Sequence, residues 1–302
     1  MKILLIGHEG QVAWELRRTL ACLGRVTTLG RTTQPSLDLT QPDEIRATLR
    51  ALQPQLIVNA AAYTAVDKAE QESEASHAIN AEAVAVLAEE AKLQGAGLIH
   101  YSTDYVFPGN ARQPYREEDA VGPLGVYGQS KLAGEEAIRQ AGIPHYLILR
   151  TAWVYGRRGQ NFLLTMLRLM RERDTLGIVD DQLGAPTWSR LIAEATALMV
   201  TQCIHNGGFV PEDKTGTYHL TCGGQTSWFG FAEHIRTLAI TEGLLYETAA
   251  QLNPLPTSAY PTPAQRPAYS VLSNDKLDQS FGIRLPDWKE ALSLCLTETR
   301  PA

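Results

Sequence analysis

Along the first half of the chain, short apolar or β-branched runs alternate with stretches in which apolar residues recur every three or four positions. The runs are Ile3 to Ile6, Val26 to Leu29, Leu56 to Val58, Leu98 to Tyr101 and Tyr146 to Leu149. Such runs suit strands buried on both faces of a parallel sheet. Between them, Val12, Leu16, Leu20 and Leu23, then Ile45, Leu49 and Leu52, then Ile79, Ala83, Leu87 and Ala91 keep helical spacing. Thr40 is placed to cap the second of these helices. Helix following strand from the first residue predicts an α/β fold on a doubly wound parallel sheet. Beyond Arg150 the rhythm loosens into a helix over Phe162 to Met170, a helix from Thr187 to Val200 that returns to the sheet, and a last strand at Tyr218 to Leu220. Pro254, Pro256, Pro261, Pro263 and Pro267 exclude helix from the segment that carries them, which suits a binding loop over a cleft.

Composition narrows the class. With 302 residues, 44% of them apolar and 20% charged, the chain is that of an ordinary globular protein with room for one large or two smaller domains. A net charge of −6 gives no electrostatic grip on nucleic acid or an anionic membrane surface, so neither partner is expected. No window approaches the ~20 apolar residues of a membrane span. The run ahead of Gly7 is too short for a signal peptide. Cys22, Cys203, Cys222 and Cys295 form no Cys-x-x-Cys pair and have no histidine at ligand spacing, which points to reduced thiols in a cytoplasmic protein and to no metal site. Asp180-Asp181 lacks a third ligand and reads as turn chemistry.

Candidate chemistry sits where strands end. Gly7-x-x-Gly10-x-x-Ala13 lies between the first strand and the first helix, where glycines let the backbone approach a pyrophosphate that the helix N-terminus then holds. The same spacing would also serve a tight turn alone. The second strand ends in Gly30-Arg31 with no acid; an arginine there accommodates the 2′-phosphate of NADP, so NADPH is expected, with NADH as the alternative. Asp38 serves either an adenine or its own turn. Ala60, Ala61 and Ala62 leave space for a ligand at a strand end, or for close helix packing. His100, inside an apolar run, reads as a core histidine. Tyr127 and Lys131 stand at i and i+4, on one face of a helix. An ammonium beside a phenol favours the phenolate and lowers the phenol's pKa, and a hydroxyl from Ser102 or Thr103 would hold a carbonyl oxygen near it. Those parts together describe carbonyl reduction, although a Tyr-x-x-x-Lys pair alone is common on helix surfaces.

With these residues in place, the chain resembles the extended short-chain dehydrogenase/reductases, and within them the dTDP-4-dehydrorhamnose reductase family, along nearly its whole length. The segments that carry the likeness include Gly7-x-x-Gly10-Gln11-Val12, Val58 to Glu70, Tyr101 to Phe107, Tyr127 to Glu135, Arg150 to Tyr155, Asp181-Gln182-x-Gly184-x-Pro186-Thr187 and Pro261-Thr262-Pro263-Ala264-x-Arg266-Pro267. The resemblance implies a Rossmann-type sheet over residues 1–151 and 188–222, which binds the dinucleotide, and a smaller C-terminal substrate-binding domain over 152–187 and 223–302. It implies reduction of the 4-keto group of dTDP-4-dehydro-L-rhamnose to dTDP-L-rhamnose, for rhamnose-containing surface polysaccharide, by a monomer or homodimer. Tyr127 would then be the proton donor, Lys131 would lower its pKa and hold the nicotinamide ribose, and Thr103 would bond the keto oxygen. Gly10, Gln11, Val12, Asp38, Leu39, Ala60, Ala61 and Ala62 would line the cofactor, and Asp104 and Trp153 would touch the dTDP-sugar. Arg266 is a candidate for its diphosphate, or forms a surface ion pair; Asn161 is a further substrate candidate, or caps the helix after it.

Sugar-nucleotide 4,6-dehydratases follow Thr-Asp with a glutamate where this chain has Tyr105, and epimerases keep a permanent NAD. Two alternatives remain. One is a reductase of another keto sugar nucleotide. The other is a non-catalytic NADP-binding regulatory subunit like the methionine adenosyltransferase beta subunit, which has no need to keep Thr103, Tyr127 and Lys131 together.

Overall fold

The computed structural model of the protein describes residues 1–297; the last five positions of the expected C-terminal domain lie outside the described residues. From its start the chain runs β1 (Lys2–Ile6), α1 (Gln11–Leu20), β2 (Arg25–Leu29), α2 (Pro42–Leu52), β3 (Leu56–Asn59), α3 (Ala83–Gln94), β4 (Gly97–Thr103), α4 (Val126–Ala141) and β5 (Tyr146–Thr151). It continues through β6 (Val154–Tyr155), α5 (Phe162–Glu172), β7 (Thr175–Val179), β8 (Thr187–Trp188), α6 (Ser189–Gln202), β9 (Gly216–His219), α7 (Trp228–Thr241), β10 (Gln251–Leu255), α8 (Asp275–Phe281) and α9 (Trp288–Thr297).

The main sheet has six strands in the order β9-β5-β4-β3-β1-β2, all parallel. Successive side chains of a strand point to opposite faces. Ile3 and Leu5 accordingly join Leu16, Leu20, Ile192 and Met199 on the α1/α6 side, while Leu4 and Ile6 join Ile45, Leu49, Leu87 and Ile138 beneath α2, α3 and α4. A separate cluster, with Leu163, Met166, Phe231, Ile235 and Leu292, fills the region after β5. Strand order reverses at β1, with β3 on one side and β2 on the other, and the crevice beyond the carboxyl ends of strands at such a switch is where doubly wound sheets bind ligands. Gly7 follows β1 and Ala60 follows β3, so both line that crevice.

Three expectations change. Thr40 does not cap α2: Gln41 holds the cap position, Pro42 opens the helix, and the Thr40 amide and hydroxyl both donate to Asp38 Oδ1 at 2.9 Å. Proline at the first helical position needs no N–H partner, so it fixes the start without a side-chain cap. The helix expected from Thr187 begins at Ser189, because Thr187 and Trp188 pair with Val154 and Tyr155. The proline-rich stretch is not loop throughout: Gln251–Leu255 pairs in parallel with β7. These two strands form a sheet of their own, and an edge strand tolerates Pro254.

Candidate active site

The turn after β1 is shaped by one residue. Gly7 has φ +110°, and a Cβ there would stand 3.2 Å from the Ala60 carbonyl carbon and 3.3 Å from Ala13 Cβ. Gly10 occupies the N-cap of α1 without a side-chain capping bond, and the space where its Cβ would project is open. The first-turn amides of α1 thus lack a side-chain acceptor, and no acid lies in that turn. Open backbone donors at the positive end of a helix dipole fit the pyrophosphate of a dinucleotide. Gly7→Ala forces an L residue into a left-handed conformation against Ala60. We expect the dissociation constant for NADPH, read by fluorescence titration, to rise at least tenfold, in line with a strain of about 1–3 kcal/mol; a change under twofold would show that the turn has room.

At the end of β2, Arg31 is exposed. The two Thr40 hydrogen bonds, with help from Arg31 nearby, hold the Asp38 carboxyl below its ordinary value. These bonds tie the Asp38 carboxylate into its own turn. Leu39 is buried in the core under α2.

Tyr127 lies in the first turn of α4 and Lys131 follows one turn later; Thr103 ends β4. Thr103 is hydrogen-bonded to the phenol, donates to Asp104 Oδ1 at 3.0 Å and accepts from the Tyr105 amide. Ser102, the other hydroxyl considered, lies beside the Glu135 carboxylate. The Tyr105 ring stands edge-on to Tyr127 with centroids 5.6 Å apart. Burial pushes the Tyr127 phenol up to about 12, and the Thr103 hydrogen bond opposes that rise. Lys131 is not the permanent cation expected beside it. Its Nζ turns to the Tyr101 carbonyl and to His100 Nε2, and burial lowers it to about 8 against the pull of Glu135. Desolvation outweighs what opposes it in both groups, the Thr103 hydrogen bond for the phenol and the Glu135 charge for the amine.

The other candidates fall in three places. Trp153 has φ +46° and stacks on Trp228 with ring centroids 3.5 Å apart, its other edge against Gly184. Arg266 pairs with Asp67 at 2.8 Å, and its buried Nε has no hydrogen-bond partner. Asn161 caps α5 by accepting from the Leu164 amide and donates to Gln11 Oε1 at 2.9 Å, so it stands with Gln11 on the α1 side. Asp104 is buried, and that burial raises its carboxyl to about 6, opposed by hydrogen bonds from Ser270 and Thr103. A folded-state value above the unfolded one contributes stability below pH 4 that is lost as pH rises through 6. Two units correspond to about 3 kcal/mol. Asp104→Asn should melt higher than wild type at pH 8 and lose that advantage near pH 4; an equal difference at both pH values would contradict the assignment.

Several residues that shape this site gave no signal in the sequence. Asn80 lies in a π-helical turn, Ala78–Glu82, accepts from the Tyr63 amide and donates to the Tyr63 carbonyl and to Ser130 Oγ, which ties the segment after Ala62 to α4. Glu70 accepts from the Val126 amide and so fixes the start of α4. Asn59 and His100 meet in the sheet at 3.2 Å. Their only sequence trace is a polar residue inside an apolar run.

Among known proteins, the model of the RmlD substrate binding domain family matches residues 1–300. A dTDP-4-dehydrorhamnose reductase of Burkholderia thailandensis is 47% identical over 302 residues, 99% of each chain. Two crystal structures superpose over 99% of both chains: a dTDP-4-dehydrorhamnose reductase of Clostridium acetobutylicum, with TM-score 0.88 and 35% identity, and one of Bacillus anthracis in complex with NADP, with TM-score 0.85 and 31% identity.

Proposed function

The chain belongs to the RmlD substrate binding domain family, and from that premise we propose that it is an NADPH-dependent dTDP-4-dehydrorhamnose reductase. It reduces the 4-keto group of dTDP-4-dehydro-L-rhamnose to give dTDP-L-rhamnose. The observation that carries the reading is the hydrogen bond between Thr103 and Tyr127 at the carboxyl end of β4, with Lys131 one turn behind the phenol on α4.

NADPH, when bound, supplies a hydride to the carbonyl carbon. Gly7, Gly10, Gln11 and Val12 hold its pyrophosphate on the first turn of α1, and Arg31 takes the 2′-phosphate. Asp38, Leu39, Ala60, Ala61 and Ala62 line its remaining length. Thr103 bonds the keto oxygen and orients it toward Tyr127. A phenol held near 12 is fully protonated at neutral pH, so Tyr127 is always loaded; it gives that proton to the oxygen as the alkoxide develops. The resulting phenolate is left beside Thr103, with the Lys131 ammonium one turn along α4. Asp104, Trp153 and Asn161 bind the sugar nucleotide, and Arg266, with a free buried N–H, takes its diphosphate. Residues 1–151 and 188–222 serve the cofactor, and 152–187 and 223–302 the sugar nucleotide. Among the described residues no helix is long and apolar enough to cross a membrane; we take the site of action to be the cytoplasm and the working form a monomer or homodimer.

The reading is tested by purified protein, NADPH and a panel of keto sugar nucleotides. Oxidation of NADPH on addition of dTDP-4-dehydro-L-rhamnose is expected, with kcat/KM above that for NADH. Nucleotide binding without oxidation by any 4-keto sugar nucleotide would instead make the chain a non-catalytic binder.

A further inference from the structure

His100 is fully buried at the middle of β4, opposite Asn59 at the end of β3 in the sheet register. Its Nδ1 faces Asn59 Nδ2 at 3.2 Å, and its Nε2 faces Lys131 Nζ at 3.2 Å. Which of these atoms carries hydrogen follows from counting donors. Asn59 Oδ1 accepts the Ala61 amide, so the atom turned to His100 is the amide nitrogen, which only donates. Nδ1 must therefore be the acceptor. A neutral imidazole has one proton, which then sits on Nε2 and points at the lysine nitrogen. An imidazolium is excluded on the same count, because its Nδ1–H would meet the Asn59 amide hydrogens; burial, and then Lys131, hold His100 well below its ordinary value.

Nε2–H facing an ammonium is donor against donor. The contact becomes a hydrogen bond only when Nζ carries a lone pair, while Nζ still donates to the Tyr101 carbonyl. We propose that His100, fixed by Asn59 in the Nε2–H tautomer, is a positioning residue that sets the pH at which Lys131 takes up its proton. Burial lowers Lys131 as a whole, and His100 is the neighbour whose hydrogen opposes the ammonium directly. On α4, Glu135 favours the ammonium, but Arg150 from β5 and Arg139 already bind that carboxylate; Tyr127 is a neutral phenol. From the turn after β4, Asp104 is engaged with Thr103. Facing α4 from the helical segment before α3, Ser76 and Asn80 are neutral and bonded to Ser130.

The proposal rests on the reductase reading only for its kinetic consequence: the ammonium supports the Tyr127 phenolate, so the alkaline limb of kcat marks loss of the Lys131 proton. Two near-isosteric variants remove the tautomer lock. Asn59→Asp accepts from Nδ1–H and turns Nε2 into an acceptor for the ammonium; His100→Gln offers Nζ a carbonyl oxygen. The titration of Lys131 is followed in the protein alone by the carbon shift of isotope-labelled lysine, with Lys131→Arg identifying the resonance. Both variants should raise the Lys131 midpoint by at least about one pH unit, a tenfold change in proton affinity, and move the alkaline limb of kcat upward with it. A midpoint unchanged in His100→Gln, with only stability lowered, would reduce His100 to packing and overturn the proposal. A shifted midpoint in a protein that reduces no keto sugar nucleotide would uphold the lock and refute the reductase reading alone.

Discussion

Tyr127→Phe is expected to lower kcat by about 10²–10⁴-fold while KM for the keto sugar nucleotide stays within about threefold. The substitution deletes one hydroxyl and keeps the ring. That ring packs edge-on against Tyr105, so the start of α4 loses no packing. What is lost is the proton that must reach the keto oxygen as the hydride arrives, an interaction made only in the transition state. Thr103 remains to orient the carbonyl. Steady-state kinetics separate the outcomes: a loss confined to KM would make Tyr127 a substrate contact, and near wild-type turnover would remove it from the chemistry.

The second large effect is on stability. Arg150 and Glu135 are 2% and 0% exposed, and Arg150 donates from Nε and Nη2 to the two Glu135 oxygens at 2.8 and 2.7 Å. Hydrogen bonding and charge from Arg150 hold Glu135 below its ordinary value although burial pushes the other way. Arg150→Met leaves a buried carboxylate whose remaining ion-pair partner among the described residues is the part-exposed Arg139. We expect a loss of about 3–5 kcal/mol in chemical denaturation. Removing both charges, as in Arg150→Met with Glu135→Leu, should recover most of it, because the penalty arises from the stranded charge. If the double variant were no more stable than the single one, the pair would be contributing shape and not charge balance.

The parallel sheet was legible because its information is local. Runs such as Ile3 to Ile6 and Leu56 to Val58 carry their burial in the residues themselves, and the glycine turn declares itself by position. The region after β5 was less so. Val154–Tyr155 and Thr187–Trp188 are two-residue strands that exist only because distant segments meet, and no periodicity fits into two residues. Gln251–Leu255 hid behind Pro254, which marks a loop unless the strand lies at an edge. Within the site, Tyr127, Lys131 and Thr103 could be paired by spacing and chemistry. The direction of Lys131 could not, since spacing sets which face a side chain leaves from and not the His100 and Tyr101 atoms it finds there. Desolvation, which raises the phenol that a neighbouring ammonium was expected to lower, depends on surroundings assembled from several strands.

The most direct test is a crystal structure with NADP and dTDP-L-rhamnose bound together. Tyr127 Oη should lie about 2.6–3.2 Å from the sugar O4, hydrogen-bond reach for the proton it gave. Were O4 to meet the Asp104 carboxyl instead, with the phenol beyond about 5 Å, the proton would come from elsewhere and the account would fail.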